Sequence, residues 1–250
     1  MSRAALMASA SVVLLTVVGC GSASPKNQAQ SSAASTQLTT AWCGVDKASL
    51  AGSPGVSNAK GWTNAKLPIH IKQSTQITAA QKTEIAAAMK TWETAVGKTL
   101  FVIDGTDDKK GSDFSSLNAS LDDTSNGQYF DDQWDAHTGK PTSVLGTTVF
   151  RTDPDNVILQ ADIRFNVEHF DFGDADDTAL ATQARTDDKT VADIQTVATH
   201  ELGHLLGLAH IEEADDANSI MHPAVSVGPQ QKKRTLSDGD VKRIKAIYAN

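Results

Sequence analysis

The sequence predicts one α+β domain behind an N-terminal stretch of different composition. Four short segments between residues 67 and 167 have strand patterns, and three longer segments place apolar residues at helical spacing behind a capping residue. The 250 residues, 40% of them hydrophobic, are enough for one well-packed core. The net charge of −8 argues against a nucleic-acid-binding surface, and we expect a monomer.

Residues 1–19 have the pattern of a secretory signal peptide. Arg3 gives a basic start, and the apolar run Ala10–Val18 is too short for a permanent membrane span. The run ends at Cys20 in a sequence that resembles the bacterial lipobox, which implies cleavage before Cys20 and lipid attachment to its sulfur. An ordinary signal peptide cleaved nearby is the alternative. Either way, we expect an extracytoplasmic protein, anchored to the outer face of a membrane or secreted.

Residues 20–41 are rich in Ser, Ala, Gln and Thr and predict a flexible tether. Residues 42–65 form a further N-terminal segment, a candidate pro-segment, and residues 66–250 the folded domain. Cys43 is the only other cysteine, so lipidation of Cys20 would leave no intramolecular disulfide.

The first predicted strand is Leu67–Gln73, in which every second residue is apolar. Thr78 and Gln81 form a capping box, and apolar residues then recur at helical spacing until Gly97. The sequence therefore predicts a long amphipathic helix packed on a sheet, followed by a short second strand at Leu100–Ile103.

Residues 104–137 are dense in Asp, Ser, Asn and Gly and have little periodic pattern. A loop of this length is usually functional or mobile. The favoured interpretation is a solvated acidic insertion, and the alternative is calcium binding, because carboxylate oxygens are preferred calcium ligands. The candidate ligands are Asp107, Asp108, Asp122, Asp123, Asp131 and Asp132.

Two further strands are predicted at Val144–Phe150 and Val157–Val167. The alternation in the second of these predicts one buried and one solvated face. An acidic loop, His169–Asp177, follows it, with His169 at the surface. The solvated face of that strand would carry Asp162, Arg164 and Asn166.

A helix capped by Thr190 or Asp193 carries the motif that dominates the chain. His200 and His204 lie four residues apart, so both imidazoles face the same side and can bind one zinc ion. Glu201 would reach a water on that zinc. Three of the seven histidines fall within eleven residues, which makes a chance pattern improbable.

The residues that follow complete a three-histidine site. Gly207 permits a positive-φ turn that ends the helix and brings His210 round as a third ligand. Three histidines leave a fourth position open, which is typical of catalytic zinc.

Met221 lies in the segment Ser219–Pro223, eleven residues beyond the third histidine. This pairing resembles the zinc motif and Met-turn of the metzincin metallopeptidases, and the resemblance implies that Met221 packs beneath the zinc. Ser237 and Asp240 form a capping box for a final helix.

Within the metzincins, the layout from Lys66 onward most resembles the matrixin family. That resemblance implies a twisted, mostly parallel sheet, and Val157–Val167 resembles the antiparallel edge strand that lines the cleft. Pro223, Ala224 and Val225 would form one wall of the main specificity pocket. The chain departs from the family at Ile211, where matrixins have Ser, and at Val225, where they have Tyr.

Cys43-Gly44-Val45-Asp46 faintly resembles the inhibitory prodomain segment of matrixins, in which a cysteine thiolate occupies the open zinc position. Trp42 stands where that family has Arg. Cys43 is therefore either a latency ligand or an idle thiol.

Together these features predict a secreted or surface-anchored zinc endopeptidase. Zinc would activate water, and Glu201 would act as general base. The alternatives are a zinc-bearing binding or adhesion module without turnover, and a zinc hydrolase of cell-wall peptide amides.

Overall fold

The computed structural model describes residues 39–47, 60–211 and 214–249, all of which belong to one unit, Gln37–Asn250. For residues 39–47 it describes the backbone only. The predicted signal peptide, Cys20 and most of the predicted tether lie outside the described residues. Within the described part, no helix has the length and apolar character needed to cross a membrane.

A seven-stranded sheet forms the centre of the domain, with strand order β3-β2-β4-β6-β5-β1-β9. The pairs β2–β3, β2–β4 and β4–β6 are parallel, whereas β5 runs antiparallel to β6. A small second sheet pairs β7 with β8. The strands are β1 Thr39–Lys47, β2 Ile69–Ser74, β3 Phe101–Asp107, β4 Asn126–Asp131, β5 Val144–Thr152, β6 Ile158–Asn166, β7 Phe170–Gly173, β8 Thr190–Asp193 and β9 Ala224–Val227.

Five α-helices occur in the described residues: α1 Ala79–Val96, α2 Trp134–Thr138, α3 Thr178–Thr186, α4 Ile194–Leu205 and α5 Asp238–Tyr248. The long helix begins at the predicted Thr78–Gln81 capping box and ends at Gly97, whose φ is 76°. The predicted α+β class, with a mostly parallel sheet, an antiparallel strand, a long helix, a histidine-bearing helix and a C-terminal helix, is confirmed.

Helices α1 and α4 share the main core with the sheet. Trp92 of α1 is fully buried, and its indole N–H donates to the carbonyl of Thr199 in α4 over 2.8 Å. Trp62 closes the end of α4 in the same way, since its indole N–H donates to the carbonyl of Leu205 over 2.7 Å. These two bonds fix the histidine-bearing helix at its middle and at its C-terminal end.

The strand identified from its resemblance to a cleft-lining edge strand was the wrong one. Strand β6 lies inside the sheet between β4 and β5, and β5 is the antiparallel strand that borders the site. The face of β6 predicted to be solvated is buried, because residues 111–122 cover it: Arg164 donates to the carbonyls of Ser116 and Leu117 and pairs with Asp131.

The structure contains several further strands and a helix that the sequence analysis did not predict. Strand β4 lies within the segment predicted to be a loop. It is covered on both faces, so its residues do not alternate between apolar and polar, and the sequence pattern of a strand is missing there. Strand β7 lies in the predicted acidic loop, and α3 follows it. Strand β1 starts at Thr39, inside the segment predicted to be a tether, and Trp62 is buried ahead of the predicted domain start at Lys66.

Candidate active site

The start of α4 is fixed by Asp193, one of the two predicted caps; Thr190, the other, begins β8. The Asp193 carboxylate accepts the backbone N–H of Thr196 over 2.9 Å and is also bound by the guanidinium of Arg234. A negative charge at this position satisfies free N–H groups and complements the helix dipole. The helix that carries the histidines therefore begins at a rigid point.

The three predicted ligands converge on one point. The Nε2 atom of His210 lies 3.2 Å from that of His200 and 3.1 Å from that of His204. The turn that brings His210 there is made by Gly207, whose φ is 101°. His200 and His204 are buried, and His210 is half-buried.

The second ring nitrogens show which tautomers are present. Nδ1 of His200 lies 2.7 Å from the carbonyl of Ile220, and Nδ1 of His204 lies 2.7 Å from the carbonyl of Leu208. A carbonyl only accepts, so each Nδ1 carries the proton and each Nε2 presents a lone pair to the common point.

This donor set fits zinc. Two nitrogens bound at about 2.0–2.1 Å to one tetrahedral zinc lie about 3.3–3.4 Å apart, close to the observed separations. Burial lowers the pKa of His200 to about 3 and that of His210 to about 4, and it places the pKa of His204 well below its usual value. All three rings are therefore neutral at physiological pH, the state in which imidazole binds metal.

Glu201 lies on the same helix turn and is fully buried. The hydroxyl of Thr148, on β5, lies 2.7 Å from Glu201 Oε2 and 3.0 Å from the Glu201 backbone carbonyl. Sequence reasoning missed Thr148, because its position depends on the packing of β5 against α4. No local pattern marks it.

Met221 is fully buried under the histidine helix. A Cβ atom placed on Gly203 would overlap Met221 Sδ and lie 2.9 Å from Trp92 Cζ2. Gly203 therefore lets Met221 approach the helix backbone between the two motif histidines. This is the packing role that the Met-turn resemblance implied.

Asp240 of α5 connects the final helix to the site. Its carboxylate accepts the backbone N–H of Ile220 over 2.8 Å, the hydroxyl of Ser219 over 2.6 Å and a guanidinium N–H of Arg243 over 2.6 Å. The carbonyl of the same Ile220 accepts Nδ1–H of His200. Burial raises the pKa of Asp240, but these hydrogen bonds outweigh it and the pKa lies below its ordinary value.

A matrixin family model (Peptidase_M10) matches residues 61–249, about three quarters of the chain. The chain belongs to the matrixin family. Its mixed, mostly parallel sheet and its helices are those that the resemblance implied.

Individual relatives match over shorter stretches. Metalloendoproteinase 2-MMP of Arabidopsis thaliana is 34% identical over 148 residues, which are 55% of this chain and 34% of the plant protein. Human matrilysin is 43% identical over 51 residues, 20% of this chain and 18% of that protein. The chain thus spans about a third or less of these relatives' length. Among solved structures, high choriolytic enzyme 1, a hatching enzyme zinc-protease of Oryzias latipes, aligns with 75% of this chain and 94% of its own at 13% identity and a TM-score of 0.37.

The cleft of this matrixin contains a strand of its own chain. Strand β1 lies between β5 and β9, parallel to β5 and antiparallel to β9. Of the predicted pocket wall Pro223–Val225, residues Ala224 and Val225 begin β9. The backbone of Cys43 pairs with Gly146, and a Cβ on Gly146 would lie 3.4 Å from Glu201 Oε1. Cys43 therefore occupies a register position beside the catalytic motif.

The aspartates proposed as calcium ligands are spread among ion pairs. Asp107 and Asp123 pair with Lys109, and Asp131 with Arg164. Besides the histidine triad, the described residues contain one other group of metal-ligating side chains within reach of one another: Asp135, Glu168 and His169. The ring of His169 is half-buried and bonded to Asp135 over 2.9 Å.

Proposed function

We propose that this matrixin is a zinc-dependent endopeptidase that hydrolyses extended polypeptides outside the cytoplasm. The convergence of three histidine Nε2 lone pairs beside the buried carboxylate of Glu201 carries the proposal. His200, His204 and His210 would hold the metal. Among the residues whose side chains the structure describes, none supplies a fourth ligand to that point, and an open position suits a catalytic site rather than a structural one.

Zinc, when bound, supplies a Lewis acid for the peptide carbonyl and lowers the pKa of water to about 7. Glu201 would act as general base, accepting the proton of the attacking water on one carboxylate oxygen and delivering it to the leaving amine nitrogen. The hydroxyl of Thr148 holds the other carboxylate oxygen, so the carboxylate is oriented before substrate arrives. Thr148 is in this account a positioning residue.

The substrate class follows from the backbone pairing at the cleft. Strand β1 pairs with both β5 and β9, so the backbone N–H and C=O groups of each can bind an extended segment. Pairing of this kind holds a polypeptide whatever its side chains are. An unfolded protein or flexible peptide is therefore the favoured substrate.

The same pairing supports latency as part of the proposal. While β1 occupies the cleft, it competes with substrate for the edges of β5 and β9. A thiolate is a strong zinc ligand, and the backbone pairing of Cys43 with Gly146, where a Cβ would lie 3.4 Å from Glu201 Oε1, supports this role. We infer that Cys43 contributes the fourth ligand in the resting chain and that the protein is activated when β1 leaves.

Location is proposed from residues 1–20 alone. The lipobox-like ending at Cys20 favours a lipid anchor on the outer face of a membrane, with secretion as the alternative. Metabolic labelling with palmitate, compared with Cys20→Ser, tests this. Calcium binding by residues 104–137 stays a prediction, and the ion pairs of its aspartates do not favour it.

The experiment that tests the activity is hydrolysis of unfolded casein and a mixed peptide library, with and without a zinc chelator. We expect cleavage that the chelator abolishes and added zinc restores. Cys43→Ser should cleave faster than the unmodified chain, and Ser115→Ala, a change at an exposed serine, provides the control. Absence of cleavage by both chains, with one zinc bound to each, would favour a binding module without turnover.

A further inference from the structure

Two cavities lie behind strand β9. The smaller one, here called the inner pocket, has a volume of about 10 Å³ and is lined by Val197 and His200 of α4 among others. The larger one, the outer cavity, has a volume of about 420 Å³ and extends along Lys232. The residues that line both are His222, Ala224, Val225 and Lys233.

The inner pocket borders the reaction centre. His200, one of its lining residues, contributes an Nε2 atom to the histidine cluster. A side chain that fills this pocket must therefore belong to a residue next to the bond that is cleaved. With β1 paired to Ala224 and Val225, the volume of the pocket is about that of one water molecule, which leaves room for a methyl or hydroxymethyl group but for no larger side chain.

Of the four shared residues, Lys233 has the longest and most adaptable side chain. The ring of His222 is held by a 2.6 Å hydrogen bond between its Nε2 and the carbonyl of Asp216, and Ala224 and Val225 belong to β9. The backbone N–H of Lys233 donates to Thr196 Oγ1 over 2.8 Å, which fixes its Cα beside the start of α4. The apolar part of a lysine side chain commonly covers apolar surface while its ammonium group stays in water.

The neighbours of Lys233 are engaged elsewhere. Lys232 pairs with Asp174 and Asp176, and Arg234 pairs with Asp193. Of these three residues, only Lys233 lines both cavities.

We propose that Lys233 separates the inner pocket from the outer cavity and thereby restricts one residue flanking the scissile bond to Gly, Ala or Ser. The proposal rests on the endopeptidase function proposed above and adds its side-chain preference. Without the Lys233 side chain, the inner pocket opens into the outer cavity, and large apolar side chains such as Leu and Phe fit.

The test compares the full chain with Lys233→Ala, Lys233→Met and Gln231→Ala, all carrying Cys43→Ser. A peptide library is digested and the residues flanking each cut are identified by mass spectrometry. Each methylene in an apolar pocket changes kcat/KM by about tenfold or more, so we expect Lys233→Ala to raise the Leu-to-Ala ratio by at least about tenfold. Lys233→Met has a side chain of similar length, and Gln231 lines the outer cavity but not the inner pocket, so Lys233→Met and Gln231→Ala should both keep the original preference.

Several results would overturn the proposal: a parent chain that already prefers Leu or Phe at both flanking positions, a Lys233→Ala chain with unchanged preference, or a Lys233→Met chain that behaves like Lys233→Ala. The last would show that charge matters and bulk does not. Binding of the same peptides to Glu201→Ala chains, with and without Lys233→Ala, gives a readout that needs no turnover. Strand β1 competes with every peptide alike, so the ratio of Kd values between two peptides depends only on the size of the inner pocket. Turnover by the chains that retain Glu201 separately tests the endopeptidase function.

Discussion

Replacing Asp240 by Asn tests whether the final helix holds the metal site in position. The single oxygen of the Asn amide can still accept the backbone N–H of Ile220. The amide NH2 group would then face the guanidinium of Arg243, which is also a donor, so no hydrogen bond forms there. The loss of that charge-assisted bond in a buried setting costs about 2–3 kcal/mol. For a domain of this size the loss corresponds to a decrease in Tm of about 4–12 °C.

The same substitution should weaken zinc binding. Ile220 links Asp240 to His200, since its N–H donates to the carboxylate and its carbonyl accepts the His200 ring proton. Loss of such an outer contact typically lowers metal affinity about 10–100-fold. The assay is competition with a chelator of known zinc affinity, run beside thermal unfolding.

The control is Asp238→Asn, the same change at an exposed position two residues earlier in α5. It should shift Tm little, by the helix-dipole contribution of about 0.3–1 kcal/mol, and leave zinc affinity unchanged. The depressed pKa of Asp240 adds a pH signature. Its stabilising contribution is present above the unfolded-state pKa and is lost as pH falls through the folded-state pKa, so the difference from Asp240→Asn should shrink in acid. A lower Tm with unchanged zinc affinity would refute the link to His200.

Three further predictions concern buried contacts. Thr148→Val should lower kcat about 10–100-fold with little change in KM, because it removes the hydrogen bond that orients Glu201. Thr148→Ser keeps the hydroxyl and should restore kcat. Equal losses in both variants would contradict the positioning role. The Tm of Asp162→Asn relative to that of the parent chain should increase as pH rises from 4 to 8. Burial raises the pKa of Asp162, so ionisation of this carboxyl destabilises the folded parent at higher pH. A Tm difference that does not change with pH would contradict this. Gly203→Ala should lower Tm, because overpacking against Met221 costs about 1–3 kcal/mol and the gain in helix propensity is only about 1 kcal/mol. If the stability losses of Gly203→Ala and Met221→Ala were additive in the double variant, the contact between the two residues would be contradicted.

Local signals predicted the parts of the fold that local chemistry determines. The capping box at Thr78 and the positive-φ glycine at 97 bound α1 because both act within one helical turn. His200 and His204 could be placed on one face for the same reason. Family membership then accounts for the order of strands, which spacing alone does not determine.

Long-range pairing explains what sequence reasoning missed. Arg164 was expected at the surface, yet it is buried because residues 111–122 fold over β6. Strand β1 runs from the end of the predicted tether into the predicted N-terminal segment, and no strand was expected in either; its pairing with β5 and β9 depends on residues far away in sequence. Thr148 reaches Glu201 from a strand more than fifty residues away in sequence, so no pattern near the motif reveals it.

The central claim is that three histidines hold one zinc while Glu201 moves the proton. The most direct measurement determines zinc content and casein turnover on the same preparations of the parent chain, Glu201→Ala and His204→Ala. We predict one zinc per chain and no measurable turnover for Glu201→Ala, and loss of both for His204→Ala. Full turnover by Glu201→Ala, or one tightly bound zinc in His204→Ala, would contradict the account.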